Sequence, residues 1–280
     1  EKTLGVDRNA QVPDYDSHTG RKRLKRLRAD GVAIPAGPTT GKVALFITCY
    51  GDYNNPQMVE DLAIVLRHNG VQVKLLKKEK CCGMPKLELG DLDSVEKYRN
   101  ANLPLLADAV DDGFDLIAPI PSCVLMFKQE LPLLFPDDAD IAKVRRAFYD
   151  PFEYLMQRHA AGLFNTDFRN ELGKVAWQAA CHQRVQNIGP KTRDVLNLVP
   201  GTEVVAIERC SGHDGTYGVK KATYANARKI ARPVETRVKN ASPQHFTSDC
   251  VMAGAHIAHG LNDGTVAEHP ISLIRKAYGI

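Results

Sequence analysis

The residues of this chain best able to do chemistry are its seven cysteines, and they recur in a pattern. Cys49 is followed after thirty-one residues by Cys81-Cys82-Gly83 and, further on, by Cys123. Cys181 is followed by Cys210-Ser211-Gly212 and then by Cys250. An odd number of cysteines is awkward for a disulfide framework. No apolar leader opens the chain, so a reducing, cytoplasmic setting is expected. Cysteines acting only as small hydrophobes would scatter among apolar positions. Here each follows a segment of strand character and stands beside turn or polar residues, which points to metal or redox chemistry.

The adjacent pair Cys81-Cys82 suits a simple zinc knuckle poorly, because zinc sites use spaced pairs. A cluster of several irons accepts neighbouring thiolates and favours backbone N–H groups aimed at sulfur. Glycine turns supply such groups, which singles out Gly83, Gly212 and Gly215 as cofactor-binding positions. A helix is expected from about Tyr217, its positive end facing an anionic cluster. As a phosphate loop the run Gly212–Gly218 lacks both the Walker lysine and the Rossmann spacing. His182 and His213 are candidates to complete a ligand set, with a supporting hydrogen-bonded or surface role equally open. His213 and Asp214 stand near enough in sequence to shuttle protons.

Residues so far apart need elements that bring them together, and an internal repeat indicates which. Lys42-Val43-Ala44 leads to Cys49 as Lys174-Val175-Ala176 leads to Cys181, with the same spacing. Gly70 and a strand over Val71–Leu76 precede Cys81; Gly201 and a strand over Glu203–Ile207 precede Cys210. The apolar run Leu116–Pro121 ends at Cys123, and the segment His245–Thr247 leads to Cys250. Pro151-Phe152-Glu153-Tyr154-Leu155 and Pro270-Ile271-Ser272-Leu273-Ile274 close the two halves. Between the first two strands, Asn55-Pro56 starts a helix whose face carries Met58, Val59, Leu62, Ala63 and Leu66, and Gly70 ends it.

Strand–helix–strand at this pitch predicts an α/β protein of two pseudo-repeated Rossmann-like βαβ halves with parallel sheets. In such sheets ligands bind beyond the carboxyl ends of the strands, so metal sites are expected there. The expected division is a basic linker-like arm over 1–40, a first domain over 41–170 and a second over 171–280. Trp177 reads as core.

At 280 residues with 25% charged and 44% hydrophobic side chains, the composition is that of an ordinary globular protein. The apolar runs are too short to span a bilayer. Arg21, Lys22, Arg23, Lys25, Arg26 and Arg28 contribute six positive charges within eight residues, so the net charge of +4 is local. Without a nucleic-acid motif or interleaved aromatics, this run reads as a solvated linker and no nucleic acid is expected as a partner. The chain opens at Glu1 without methionine, which suits a processed product or part of a longer polypeptide.

Over residues 42–280 the cysteine pattern resembles the cysteine-rich CCG domain. That domain occurs in tandem in the B subunit of heterodisulfide reductase and the C subunit of anaerobic glycerol-3-phosphate dehydrogenase. It also occurs in iron–sulfur subunits of lactate and glycolate oxidases. The resemblance implies an iron–sulfur electron-transfer subunit of an oxidoreductase complex. In the family the pattern ends C-x-x-C and offers five cysteines per domain. Here Met126 and Ala253 stand at the last of those positions, and Ser211 replaces one of a pair.

The five-thiolate site of heterodisulfide reductase is therefore not expected. Cys49, Cys81, Cys82 and Cys123 suit a [4Fe–4S] cubane. Cys181, Cys210 and Cys250 suit a second iron–sulfur cluster with an open iron, or zinc, with His182, His213 or Ser211 to complete the set. The ferredoxin-like C-x-x-C-x-x-C motifs that normally precede the tandem are missing here. A ferredoxin-type module, another redox partner, or an upstream portion of the polypeptide would supply them. With no flavin or nicotinamide fingerprint, dehydrogenase chemistry would belong to a dehydrogenase or flavoprotein subunit. Peripheral contact at the inner membrane face is a further expectation, carried by the basic arm. Two rival readings are a thiol–disulfide reductase acting through a cluster or Cys81/Cys82, and a zinc-stabilised scaffold that docks a partner.

Overall fold

The computed structural model describes residues 3–28 and 30–280. Glu1, Lys2 and Ala29, part of the arm expected over 1–40, lie outside the described residues. By packing, the chain divides into two compact units. The first unit is Tyr15–Asp167 together with Val185–Lys191. The second holds the residues up to Asp14, Phe168–Arg184 and Thr192–Ile280.

The first unit is built on a parallel sheet of four strands, β1 (Lys42–Leu45), β2 (Gln72–Leu75), β3 (Asp115–Ile117) and β4 (Phe148–Tyr149). Their spatial order is β2-β1-β3-β4. The second unit repeats this with β5 (Gly173–Gln178), β6 (Thr202–Ile207), β7 (His245–Ser248) and β8 (Ala267–Glu268), in the order β6-β5-β7-β8. Lys42 pairs with Gln72 as Lys174 pairs with Glu203. The α/β class, the parallel sheets and the duplicated halves agree with the sequence.

The helix expected after Asn55-Pro56 runs over Pro56–His68. The Asn55 side chain accepts a hydrogen bond from the Met58 N–H, and proline occupies the first turn, where its missing donor costs nothing. Met58, Val59, Leu62, Ala63 and Leu66 are all buried, as their spacing requires. After the helix, Gly70 takes φ +70°, the left-handed turn that glycine adopts without strain.

Two expectations are corrected. The helix placed from about Tyr217 begins at Tyr224 and runs to Ala241. The residues before it turn back and pair with the chain's opening segment instead: Val6 bridges to Lys220, and the Asp7 N–H donates to the Val219 carbonyl at 2.9 Å. Those long-range bonds satisfy backbone groups that a helix would otherwise need.

The basic run is also not a bare linker, because Gly20–Arg23 forms a short helix packed on the first unit. A Cβ on Gly20 would stand 2.8 Å from the Gly51 carbonyl oxygen and from Val59, so only glycine permits this approach. Arg21 pairs with Glu79 and donates to the Leu76 carbonyl, and Arg23 pairs with Asp16 and Glu60. Among the described residues no helix is long and apolar enough to cross a membrane.

Candidate metal centres

In each unit the cysteines stand beyond the carboxyl ends of three adjacent parallel strands. Cys49 opens the helix Cys49–Tyr53 after β1, and Cys81-Cys82 lie in the loop after β2. Cys123 sits in the helix Pro121–Leu125 after β3. In the second unit Cys181 opens the helix Cys181–Arg184 after β5, Cys210 lies in the loop after β6, and Cys250 caps the helix Val251–Leu261 after β7. All seven thiols are free.

The first four act on one another in sequence: the thiol of Cys49 with that of Cys81, Cys81 with Cys82, and Cys82 with Cys123. Cys82 and Cys123 are buried, with 4% and 5% of their surface exposed, whereas Cys49 is exposed. The Cys81 thiol is held well below the usual thiol range. The thiol of Cys49 does most of this, followed by that of Cys82, with the N–H groups of Gly83 and Cys82 adding to it. Cys49 is pushed up by the Cys81 thiol and by burial, and Cys82 by the Cys123 thiol, then that of Cys81 and burial, as expected when several thiols share one negative charge. Gly83 has φ +99°, which lets its N–H reach back to the Cys81 sulfur.

The surroundings of this set explain its order. Asn102, fully buried in the helix Leu92–Asp111, accepts from the Lys80 N–H at 2.7 Å and donates to the Cys81 carbonyl at 3.0 Å. Glu79 accepts from the Ile47 N–H at 3.3 Å and pairs with Arg21, tying the Cys81 loop to the segment before Cys49. Thr48, immediately before Cys49, has φ +67° and ψ 155°, a conformation that a β-branched residue adopts only at a cost. Its hydroxyl compensates in part by capping the Gly51 N–H at 2.9 Å. In the same unit Phe127 meets Phe46 edge-on at 5.1 Å and stacks on Phe148 at 4.9 Å between ring centroids.

Met126, at the position where the family pattern has a further cysteine, is buried and begins a π-helical turn, Met126–Glu130. Pro132 follows in the helix Leu131–Leu134 and has no N–H to give the Lys128 carbonyl, so the wider turn absorbs the mismatch.

In the second unit Cys181 hydrogen-bonds with Cys210, and Cys250 is close enough to Cys181 to feel its charge. Burial pushes the thiols of Cys181 and Cys250 up, with Cys210 adding to the effect on Cys181. At Cys250 the N–H groups of Ala253 and Met252 oppose this. The Gly212 N–H donates to the Cys210 sulfur at 3.4 Å. Gly212 has φ +74°, and a Cβ there would fall 2.2 Å from the Ala227 carbonyl oxygen. Gly215 also has positive φ, at +46°.

Ser211 is buried and its hydroxyl accepts from the His213 N–H at 3.3 Å. His182 lies in the helix Cys181–Arg184, and Asp214 is exposed. The His213 ring lies 5.9 Å from that of His256, and burial lowers both imidazoles, His256 to about 4. Neither Nε2 has a hydrogen-bond partner. Among the described residues no group of three or more His, Cys, Asp or Glu side chains could hold a single metal ion.

The donor chemistry nonetheless fits a thiolate-bound cluster. Four neighbouring thiols with N–H groups on sulfur form the first set, and three thiols with the same kind of donors form the second.

The cysteine-rich domain family, CCG, matches residues 43–128. Those residues are similar to the CCG cysteine-rich domain. Over 279 residues it is 27% identical to the C subunit of the anaerobic glycerol-3-phosphate dehydrogenase of Escherichia coli K12, covering 99% of this chain and 68% of that protein. It is 25% identical over 262 residues to the B subunit of the fumarate reductase (CoM/CoB) of Methanothermobacter marburgensis, covering 91% of this chain and 49% of that one. It is 29% identical over 184 residues to the lactate utilization protein A 1 of Bacillus mycoides, covering 64% of this chain and 74% of that one. A crystal structure of a hypothetical protein from Helicobacter pylori shares the fold with a TM-score of 0.53 at 13% identity, covering 93% of this chain and 54% of that one.

Within the CCG match lie Cys49, Cys81, Cys82, Gly83 and Cys123; the second cysteine set lies outside it. Sequence reasoning passed over Asn102, His256, Gln178 and Asp249. Asp249 is buried, accepts from Trp177 Nε1 and Thr192 Oγ1 at 2.7 Å each, and also bonds with Gln183. Burial raises its carboxyl to about 6. The one available signal was its place next to Cys250, since a polar residue beside a ligand is a natural support. Trp177, read as core, is core, and its indole N–H is what holds Asp249.

Proposed function

We propose that this CCG protein is an iron–sulfur electron-transfer subunit of an oxidoreductase complex. Cys49, Cys81, Cys82 and Cys123 would hold a [4Fe–4S] cluster. Cys181, Cys210 and Cys250 would hold a second centre, an iron–sulfur cluster or zinc. The observation that carries this reading is the gathering of four thiols beyond the carboxyl ends of β1, β2 and β3, each perturbing the next, with the Gly83 N–H on the Cys81 sulfur. When bound, such a cluster supplies one-electron transfer at a potential set by its ligands, burial and hydrogen bonds.

The chain's own residues provide the asymmetry between the centres. The first set is closed by buried Cys82 and Cys123, and the second keeps Cys181 and Cys210 exposed. The relatives named as subunits of a dehydrogenase and a reductase support a role beside redox partner subunits, with carbon chemistry performed elsewhere. His213 and Asp214, three and four positions beyond Cys210, would move protons at the second centre.

The deciding experiment is anaerobic purification with iron, sulfide and zinc counts and EPR of the reduced protein. Brown protein with about four irons and four sulfides on the first set is the expected result. A colourless protein holding only zinc overturns the electron-transfer reading. Disulfide reduction persisting in cluster-free protein would instead favour direct thiol chemistry at Cys81 and Cys82.

A further inference from the structure

Three loops carry the second cysteine set, and one buried amide reaches all of them. Gln178 is the last residue of β5, three positions before Cys181, and is 1% exposed. Its Nε2 donates to the Arg209 carbonyl at 3.0 Å, next to Cys210, and to the Ala179 carbonyl at 2.9 Å. Its Oε1 accepts from the Ser248 hydroxyl at 2.8 Å, and that hydroxyl accepts from the Cys250 N–H at 3.3 Å. Both N–H groups and the oxygen of this amide are engaged, and each arm ends within two residues of a different cysteine. In the first unit the same station before Cys49 is held by Phe46, which has no polar atom to offer. A glutamine buried on a central strand costs free energy unless fully bonded, so an apolar residue would be the simpler choice for packing alone.

We propose that Gln178 is the positioning residue of the second cysteine set, holding Cys181, Cys210 and Cys250 at their mutual spacing before any metal arrives. The proposal deepens the reading of these cysteines as a metal centre, and it concerns the thiols of the metal-free chain. Hydrogen bonds are directional, so they fix loop positions where packing alone would let loops slide. Cys181 and Cys210 stand beyond the neighbouring strands β5 and β6 and act on one another, which makes their spacing measurable through the ease with which they form a disulfide.

The test uses the metal-free full chain equilibrated in glutathione redox buffers. Two thiols are oxidised to one protein disulfide while one glutathione disulfide is reduced to two thiols, and peptide mass spectrometry reads the Cys181–Cys210 and Cys49–Cys81 pairs in one sample. Gln178→Met, of similar length but without polar atoms, is expected to lower the Cys181–Cys210 equilibrium constant about tenfold. The Cys49–Cys81 constant should stay within about twofold, since Phe46 serves that half.

Gln178→Glu keeps the acceptor for Ser248 but sets a carboxylate oxygen against the Arg209 carbonyl. It should lower the Cys181–Cys210 constant at least as much. It is the variant to read if Gln178→Met does not fold. An unchanged Cys181–Cys210 constant, or an equal fall in both pairs, overturns the positioning role. Failure of the wild type to build a second centre from iron and sulfide, and to bind zinc at these cysteines, would overturn the metal reading and leave the thiol result to decide Gln178 by itself.

Discussion

The two units place cysteines at matching stations of matching sheets yet hold them by different physics. In the first unit Phe127 meets Phe46 edge-on and stacks on Phe148, and the cysteine loops are held by Thr48, Glu79 and Asn102. In the second, Gln178 and Ser248 form a shared hydrogen-bonded frame, and Asp249 ties Trp177, Thr192 and Gln183 beside it. The first set has four thiols with two of them buried, and the second has three, none of them fully buried. Apolar packing tolerates any side chain of the right size, whereas a polar frame demands particular atoms. Duplication therefore conserved the scaffold while the walls, and with them the polarity felt by a bound centre, diverged.

Several substitutions would break this contrast. The largest effect belongs to Cys123→Ala, which removes a buried thiol in contact with Cys82. It should abolish the EPR signal of the first centre while metal on the second set survives; loss of both together would show the units to be interdependent. Next, Phe46→Gln would install in the first unit the residue type found at the same station of the second. Without partners for its amide it should cost about 3–5 kcal/mol in denaturant unfolding. A cost under about 1 kcal/mol would mean that the polar frame can be transplanted.

A pH effect is expected in the second unit from His256. Burial, and then Arg228 and His213 nearby, lower its imidazole to about 4, below the ordinary 6.5. The unfolded chain therefore binds a proton that the folded chain refuses between these values. Stability from this group is complete above about pH 6.5 and is lost as pH falls toward 4, by up to about 3 kcal/mol. Asp249, raised to about 6, acts in the opposite sense, so the quantity to measure is the difference between wild type and His256→Leu across that range. Parallel stability–pH curves for the two would remove His256 from the account.

Smaller effects lie in the first unit. Asn102→Ala leaves the Lys80 N–H and the Cys81 carbonyl without a partner and should cost about 1–3 kcal/mol. Faster hydrogen exchange at Lys80 is the local readout. Thr48→Ala loses the cap on Gly51 while keeping the strained backbone, for about 1 kcal/mol; Thr48→Gly should be nearer neutral, because it relieves the strain as the cap is lost. Chemical denaturation of the pair separates cap from strain.

How much was legible follows from how local each signal is. The helix Pro56–His68 could be read because its cap, its proline and its apolar face all lie within one segment. The helix after Cys210 was misplaced because a distant partner, Val6 bridging Lys220, holds the chain out of helix until Tyr224. The basic run looked like linker because nothing near it in sequence shows that Glu79 and Asp52 wait for Arg21, or Glu60 for Arg23.

By itself the sequence determined the repeat, the βαβ class and the stations of the seven cysteines, since strand–helix alternation and cysteine spacing are properties of short stretches. Only the tertiary structure decided which thiols touch and what stands beneath them. Cys49 meets Cys81 because β1 and β2 are neighbours in the sheet. Gln178 reaches Arg209 and Ser248 because β5 lies between β6 and β7. A buried glutamine and a buried aspartate resemble any other polar residues until folding shows which donors and acceptors surround them.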